Sequence, residues 1–96
     1  MELAELPMVD VVRLRALPAM RLWLLFSGGS EGEVDLAPFV AQGGEMVRPL
    51  QDANFFARAF IEMGAPTWPN GLDLDPINLY MELDAAGQLK KPVTAK

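Results

Sequence analysis

Two early segments of the chain carry the side-chain pattern of β-strands. Residues 12–15 alternate valine or leucine with arginine, and Val11 interrupts this alternation as a bulge or a strand start does. Residues 21–26 carry Leu22, Leu24 and Phe26 on one face and Trp23 and Leu25 on the other, so both faces are apolar after Arg21. They are therefore predicted to form a central strand that is covered on both sides.

A glycine-rich, turn-forming segment follows at residues 27–32. Residues 33–36 then alternate again, with Val34 and Leu36 predicted to face inward, so this strand and the one before it form a hairpin. Residues 37–42 carry a proline near the first-turn position and end at two glycines. This arrangement predicts a short helix.

The middle of the chain predicts a helix and a second hairpin. Pro49 prevents residues 46–50 from being a central strand. Residues 52–58 are predicted to be helical, because an aspartate at the first position can accept free amide hydrogens and aromatic residues follow at helical spacing. Residues 59–62 and 67–68 flank a glycine- and proline-containing turn and are predicted to pair as short strands.

A last helix is predicted from Asp75, which precedes a proline, to about Gly87. Its predicted stripe comprises Ile77, Tyr80, Met81 and Asp84. The elements together predict an α+β fold, a small antiparallel β-sheet of two hairpins packed against two or three short helices. Residues 1–87 are predicted to form a single domain and residues 88–96 a flexible basic tail.

The amino-acid composition excludes several kinds of site chemistry and says less about the fold. The 96 residues are 51% hydrophobic and 22% charged, as in a folded globular domain. They include neither cysteine nor histidine, which excludes disulfides, thiol nucleophiles, imidazole bases and cysteine–histidine metal cages. No cofactor and no metal site is predicted.

The formal charge, the first residues and the apolar runs together indicate which partners the chain binds and where it is located. The formal charge is −5, and the acidic body is a poor match for nucleic acid, so we expect a charged partner to be basic. The first residues lack the features of a signal peptide. The longest apolar run, residues 22–26, is too short to span a membrane. We therefore expect a cytoplasmic protein that binds neither nucleic acid nor a membrane.

The densest polar motif lies between Trp68 and Tyr80. It reads Trp-Pro-Asn-Gly, then Asp-Leu, then a proline, then Leu-Tyr, and the pattern upstream from Val9 also fits. The chain thereby resembles the bacterial domain-of-unknown-function family number twenty-four forty-two. The resemblance implies a small α+β domain without an established activity. Some relatives carry a C-terminal helix-turn-helix, for which the residues after Tyr80 are too few. Others lie beside a small protein as in toxin–antitoxin pairs.

Five residues of this motif are candidate binding residues, each with a structural alternative: Trp68, Asn70, Asp73, Asp75 and Tyr80. The carboxylates and Asn70 offer oxygen ligands to a hard cation, but their spacing does not match a calcium loop, and capping and turn roles suit them better. Trp68 is either an exposed recognition anchor or a core residue. No residue of the chain is predicted to be catalytic.

Two functions follow from these observations. The first is a non-enzymatic protein-interaction module that binds another protein, or itself, through a sheet edge or an apolar patch near residues 68–80. An antitoxin-like partner of a neighbouring small protein is a special case. The alternative is an enzyme or small-ligand site built on Asp73 and Asp75 with Asn70 and Tyr80.

A cationic stripe is the last candidate surface. Arg13, Arg15 and Arg21 belong to the first two predicted strands. They either form a stripe across the sheet or pair with Glu33 and Asp35 across the hairpin.

Overall fold

The computed structural model describes residues 8–92. Its elements in chain order are β1 Val11–Leu17, β2 Arg21–Phe26, β3 Glu31–Asp35, α1 Ala37–Ala41, a 3₁₀ helix Arg48–Gln51, α2 Ala53–Phe56, β4 Phe60–Glu62, β5 Ala65–Thr67 and α3 Pro76–Ala85. β1, β2 and β3 form one antiparallel sheet, and β4 and β5 form a second. The α+β class and the two hairpins predicted from the sequence are confirmed.

The three-stranded sheet has β2 at its centre, as its apolar sequence predicted. The register of β1 against β2 shifts between Val11 and Arg13, which confirms the bulge. One face of β2, with Leu22 and Leu24, is completely buried. The opposite face, with Trp23 and Leu25, is only half-buried, so the prediction of a covered strand holds for one face.

The first hairpin and the helix after it follow the predicted pattern. β3 begins at Glu31, two residues before the predicted start, because the backbone nitrogen of Phe26 already bonds the oxygen of Ser30 at 2.8 Å. The carboxylate of Asp35 accepts a bond from the backbone nitrogen of Ala37 at 2.9 Å, which fixes the start of α1. Asx turns of this kind commonly reverse the chain.

The middle of the chain confirms the second helix and hairpin with changed bounds. A 3₁₀ helix contains Pro49, so residues 46–50 form no strand. The carboxylate of Asp52 caps α2 by accepting a bond from the nitrogen of Asn54 at 2.9 Å. The turn between β4 and β5 is only two residues long, Met63 and Gly64, and both have a positive φ.

α3 begins and ends where the sequence predicted, but it buries a different face. Leu79 and Leu83, four residues apart, are the buried residues of this helix. Met81 and Asp84 are exposed, so the predicted stripe is wrong at these two positions, whereas Tyr80 packs on the core as predicted. The cause is the buried glycine of β3: a Cβ on Gly32 would lie 3.1 Å from a methyl group of Leu83, so the helix packs where β3 has no side chain.

The core lies between the inner face of the first sheet and the helices. It also includes the segment after β5, because Trp68 is 0% exposed. Its buried hydrophobic members are Val11, Leu22, Leu24, Phe26, Leu36, Val40, Val47, Leu50, Phe56, Trp68, Leu79 and Leu83. Within residues 8–92, no helix has the length and apolar character required to cross a membrane.

Residues 88–92 belong to the segment that the sequence assigned to a flexible tail. In the structure the backbone of Lys90 pairs with Glu31, with one bond of 2.9 Å and one of 2.7 Å. Leu89 is half-buried and packs on the core. The chain beyond Gly87 thus runs along the free edge of β3. Residues 93–96 of the predicted tail lie outside the described residues.

Candidate functional site

Trp68 belongs to the core in this structure. Its ring is fully buried and lies 5.8 Å from the ring of Phe56, centroid to centroid. Its indole nitrogen donates a hydrogen bond to the backbone oxygen of Phe56 at 3.0 Å. Both the packing and the polar atom of Trp68 are therefore satisfied inside the domain, which favours the core interpretation over the exposed anchor.

Asn70 joins two loops. Its side-chain oxygen accepts a bond from the nitrogen of Leu72 at 3.2 Å, and its side-chain nitrogen donates to the backbone oxygen of Met46 at 3.0 Å. The first bond closes the turn after Trp68, and the second holds the loop before the 3₁₀ helix against that turn. Asn70 therefore positions Met46 beside the turn.

Asp73 and Asp75 lie in different grooves. Asp73 is exposed in a groove with Glu62 and Met63, and its backbone bridges to Thr67. Asp75 lines a groove between α1 and α3. Its carboxylate accepts a bond from the nitrogen of Ile77 at 3.0 Å, so it caps α3. The structure thus does not bring the two carboxylates together.

Tyr80 is half-buried and contacts the core. Its ring meets the ring of Phe26 edge-on, with centroids 5.2 Å apart and an interplanar angle of 88°. No group of three or more acidic, cysteine or histidine side chains is placed to hold a metal ion anywhere in residues 8–92. Among the five candidate residues, Asp73 is the one that lines the groove beside the β4–β5 turn.

That groove, which we call the hairpin groove, has a volume of about 360 Å³. Its lining residues come from the second hairpin and from the turn after Trp68. They are Glu62, Met63, Ala65, Thr67, Gly71 and Asp73. Two of the six are exposed carboxylates, so the groove carries negative charge on both of its sides.

Met63 is the unusual residue of the hairpin groove. It is 95% exposed, and its φ is 53°, in the left-handed region. A two-residue turn of this kind favours asparagine or glycine at its first position, and a left-handed conformation costs other residues about 1–2 kcal/mol. Met63 makes no compensating burial. The sequence analysis did not select it, because the predicted turn of residues 63–66 did not place Met63 at the first position of a two-residue turn.

Met46 lies next to one residue of the groove. Its side chain is 46% exposed, and its terminal methyl carbon would lie 3.9 Å from a Cβ on Gly71. Gly71 lines the hairpin groove, whereas Met46 is not itself one of the lining residues.

A second polar surface lies on the solvent side of the three-stranded sheet. We call it the outer sheet face. It consists of Arg13 and Arg15 of β1, Arg21, Trp23 and Leu25 of β2, and Glu31, Glu33 and Asp35 of β3.

Trp23 is the centre of the outer sheet face. Its indole nitrogen donates a bond to the carboxylate of Glu31 at 2.8 Å, and the guanidinium carbon of Arg15 lies 5.6 Å from its ring centroid. Arg21 forms an ion pair with Glu33, which confirms part of the pairing predicted from the sequence. The sequence analysis did not select Trp23, because its half-buried polar setting depends on neighbours from both adjacent strands.

The fold and these surfaces define a small antiparallel α+β domain whose charged side chains lie on open surfaces rather than in a closed cleft. The sequence model of the family described as "Protein of unknown function (DUF2442)" matches residues 11–85. The chain belongs to this family, as the Trp-Pro-Asn-Gly motif predicted. No curated protein and no solved structure matches the chain.

Proposed function

We propose that the domain is a non-enzymatic protein-interaction module that binds a basic segment of a partner protein in the hairpin groove. The single observation that carries the proposal is Met63, an exposed apolar side chain in a conformation that disfavours it. Strained residues that contribute nothing to the core are commonly found at functional positions. A contact with a partner would give this side chain a role that the isolated domain does not provide.

The apolar side chains suit an adaptable contact. Met63 lines the hairpin groove, Met46 lies next to the lining residue Gly71, and both methionines are exposed. Methionine is flexible and polarisable, so it packs against differently shaped side chains. Gly71 is exposed and has no side chain, which leaves the backbone of the turn accessible.

The charges suit a lysine or an arginine. Glu62 and Asp73 both line the hairpin groove, and the whole chain has a formal charge of −5. Lysine and arginine combine an apolar stem with a cationic head. The stem of such a residue would contact Met63 while its head would approach the two carboxylates.

The alternative function, an enzyme or small-ligand site on Asp73 and Asp75, receives less support. The two carboxylates line separate grooves, and Asp75 is engaged as the cap of α3. General acid and base catalysis requires both groups within reach of one substrate. An antitoxin-like role is a narrower form of the leading proposal, with the product of a neighbouring gene as the basic partner.

The test is an amide-detected NMR titration of the full chain with a short lysine- and arginine-containing peptide, compared with its glutamate-containing counterpart. We expect the basic peptide to shift the signals of Met63, Gly71 and Asp73, and the acidic one to leave them in place. The double variant Glu62→Gln and Asp73→Asn should lose this response. Asp84→Asn, which removes an exposed charge on α3, should keep it.

Two results would contradict the proposal. One is a response to the basic peptide that spreads over all acidic residues and survives the double substitution. The other is a response centred on Asp75 and Asn78 in the groove between α1 and α3, which would transfer the binding function to that groove.

A further inference from the structure

We propose that the outer sheet face is covered by a second copy of this chain, stacked face to face about a two-fold axis that runs parallel to β2. The inference does not depend on the hairpin groove. It rests on how the strand order distributes charge across the sheet.

The outer sheet face has a cationic flank and an acidic flank. Arg13 and Arg15 stand on β1, at one edge, and Glu31 and Glu33 stand on β3, at the other. The strand between them contributes Trp23 and Leu25, which are half-buried, and the exposed Arg21, which pairs with Glu33. The order of the three strands therefore separates Arg13 and Arg15 from Glu31 and Glu33 by the width of the sheet.

Under two-fold symmetry, the cationic flank of one copy faces the acidic flank of the other. Rotation about an axis parallel to β2 places β1 of one copy over β3 of the other, and the reverse contact forms at the same time. Arg13 and Arg15 of each copy then face Glu31 and Glu33 of the other, while Arg21, already paired with Glu33 in its own chain, faces its counterpart. An in-plane axis perpendicular to the strands would instead stack β1 on β1 and bring like charges together, which is unfavourable.

The centre of the face has the composition of an interface. Tryptophan and arginine are the residues that most often dominate binding energy at protein interfaces. Trp23 is held in place by its bond to Glu31 and by Arg15 over its ring. Because its orientation is already fixed in the single copy, little side-chain freedom would be lost on association.

One cation and one backbone segment already contact the acidic flank. Arg21 pairs with Glu33, and the backbone of Lys90 pairs with Glu31 at the outer edge of β3. A carboxylate has about four acceptor positions, so each glutamate can still accept from an arginine of the second copy. The additional contacts would be partly exposed, and the association should therefore weaken as salt is added.

The size of the face sets the expected affinity. Strands about 4.8 Å apart, with about 3.3 Å per residue, give three strands of this length a projected face of roughly 300 Å². Standard interfaces bury about 800 Å² per partner. We therefore expect a weak dimer, with a dissociation constant of about 100 µM at low salt.

The proposal can be tested with two variants, each of which reverses the charge of one flank of the outer sheet face. One variant carries Arg13→Glu and Arg15→Glu, and the other carries Glu31→Lys and Glu33→Lys. Sedimentation equilibrium at chain concentrations up to about 1 mM covers the expected affinity range. We expect the wild-type mass to approach twice that of a monomer, each variant to remain monomeric, and an equimolar mixture of the two to dimerise.

A matched control has the same change in charge at another surface. Arg48 and Arg58 are both exposed and lie on or beside the helices of the middle segment. The variant with Arg48→Glu and Arg58→Glu should dimerise as the wild type does. Met63→Asn should also leave the dimer intact, so failure of the hairpin groove and failure of the dimer can be distinguished.

Three outcomes would overturn the inference. They are a wild-type chain that stays monomeric over the whole concentration range, variants that dimerise as well as the wild type, and a folded variant mixture that stays monomeric. The second variant places two more cations beside Arg21, and circular dichroism would show if their repulsion unfolds it. In that case Glu33→Lys alone replaces it, and its mixture with the arginine variant must dimerise more strongly than either protein alone.

Discussion

The indole nitrogen of Trp68 donates a hydrogen bond to the backbone oxygen of Phe56 at 3.0 Å in the interior of the domain. Phe56 is the last residue of α2, where backbone oxygens lack partners within the helix. The backbone nitrogen of Ala59 donates to this oxygen at 3.3 Å, and Trp68 supplies a second, shorter bond and fills the adjoining core with its ring. The same residue thus connects the turn after β5 to the end of a short helix.

This relationship makes Trp68→Phe strongly destabilising. The substitution removes the donor, leaves the oxygen of Phe56 without this partner and creates a cavity, so we expect a loss of about 2–4 kcal/mol in the free energy of unfolding. Urea denaturation followed by circular dichroism measures it. Trp23→Phe is the control, because Trp23 is half-buried, and it should lose no more than about 1 kcal/mol. Equal losses at the two positions would contradict this account.

Substitution of Gly64 by alanine should have a steric cost in addition to the conformational cost of a positive φ, and the two costs can be measured separately. Its φ is 80°, and a Cβ at this position would lie 2.5 Å from a carboxylate oxygen of Asp10. Gly28 also has a positive φ, 94°, but a Cβ there would meet nothing within 4 Å. Gly28→Ala should therefore cost about 1 kcal/mol for conformation alone, and Gly64→Ala at least about twice as much.

The comparison of the two alanine variants uses thermal and urea unfolding. The added substitution Asp10→Gly removes the side chain that the new Cβ would meet, so it should recover part of the loss at Gly64. A Gly64→Ala variant as stable as Gly28→Ala would show that Asp10 moves aside without cost.

Local chemistry explains why the sequence predicted so much of this fold. The caps Asp52 and Asp75 act on backbone atoms two residues away, so the helix starts could be predicted from neighbouring residues. The alternation of apolar and polar side chains in residues 12–15 and 33–36 likewise allowed β1 and β3 to be predicted from neighbouring residues. The predicted stripe of α3 was wrong at two positions because the choice of face depends on Gly32, which is distant in sequence and leaves room for Leu83.

The surfaces proposed for binding depend on distant neighbours as well. Trp23 gains its polar setting from Arg15 and Glu31, which lie on two other strands. The hairpin groove requires the turn after Trp68 to approach the β4–β5 turn. Asp73 was selected from the sequence, but Met63 was not, since its exposure and its left-handed backbone appear only in three dimensions.

Substitution of Met63 should change the stability of the domain and its peptide binding in opposite directions. Met63→Asn gives the turn the Asn-Gly sequence that suits positive φ at both positions, so we expect a gain of about 0.5–1 kcal/mol in the free energy of unfolding. The same substitution removes the apolar contact and should weaken the response to the basic peptide. Met81→Gln, at an exposed methionine of α3, should change neither property appreciably.

Both properties of Met63→Asn must be measured on one preparation, by urea unfolding and by the NMR titration. A variant that gains stability and binds the peptide unchanged would remove Met63 from the binding surface. A variant that loses stability would contradict the assignment of strain to this turn.

Substitutions of Asp75 distinguish the proposed interaction module from the alternative enzyme or small-ligand site. Its carboxylate caps α3 through the nitrogen of Ile77. Asp75→Ala should therefore lower the free energy of unfolding by about 1 kcal/mol, whereas Asp75→Asn, which keeps a capping oxygen, should leave it nearly unchanged. Neither variant should alter peptide binding in the hairpin groove, because Asp75 lines a different groove.

A functional carboxylate would give the opposite pattern. If Asp75 acts as an acid, a base or a ligand for a cation, the asparagine variant should lose activity or binding while it stays folded. The measurement is a thermal-shift series of the wild type and both variants with magnesium, calcium and small metabolites. A shift present in the wild type and absent from Asp75→Asn would support the alternative, since a ligand that binds only the folded state stabilises it. We expect these compounds to shift none of the three proteins differently from the others, because the carboxylate of Asp75 is engaged in capping α3.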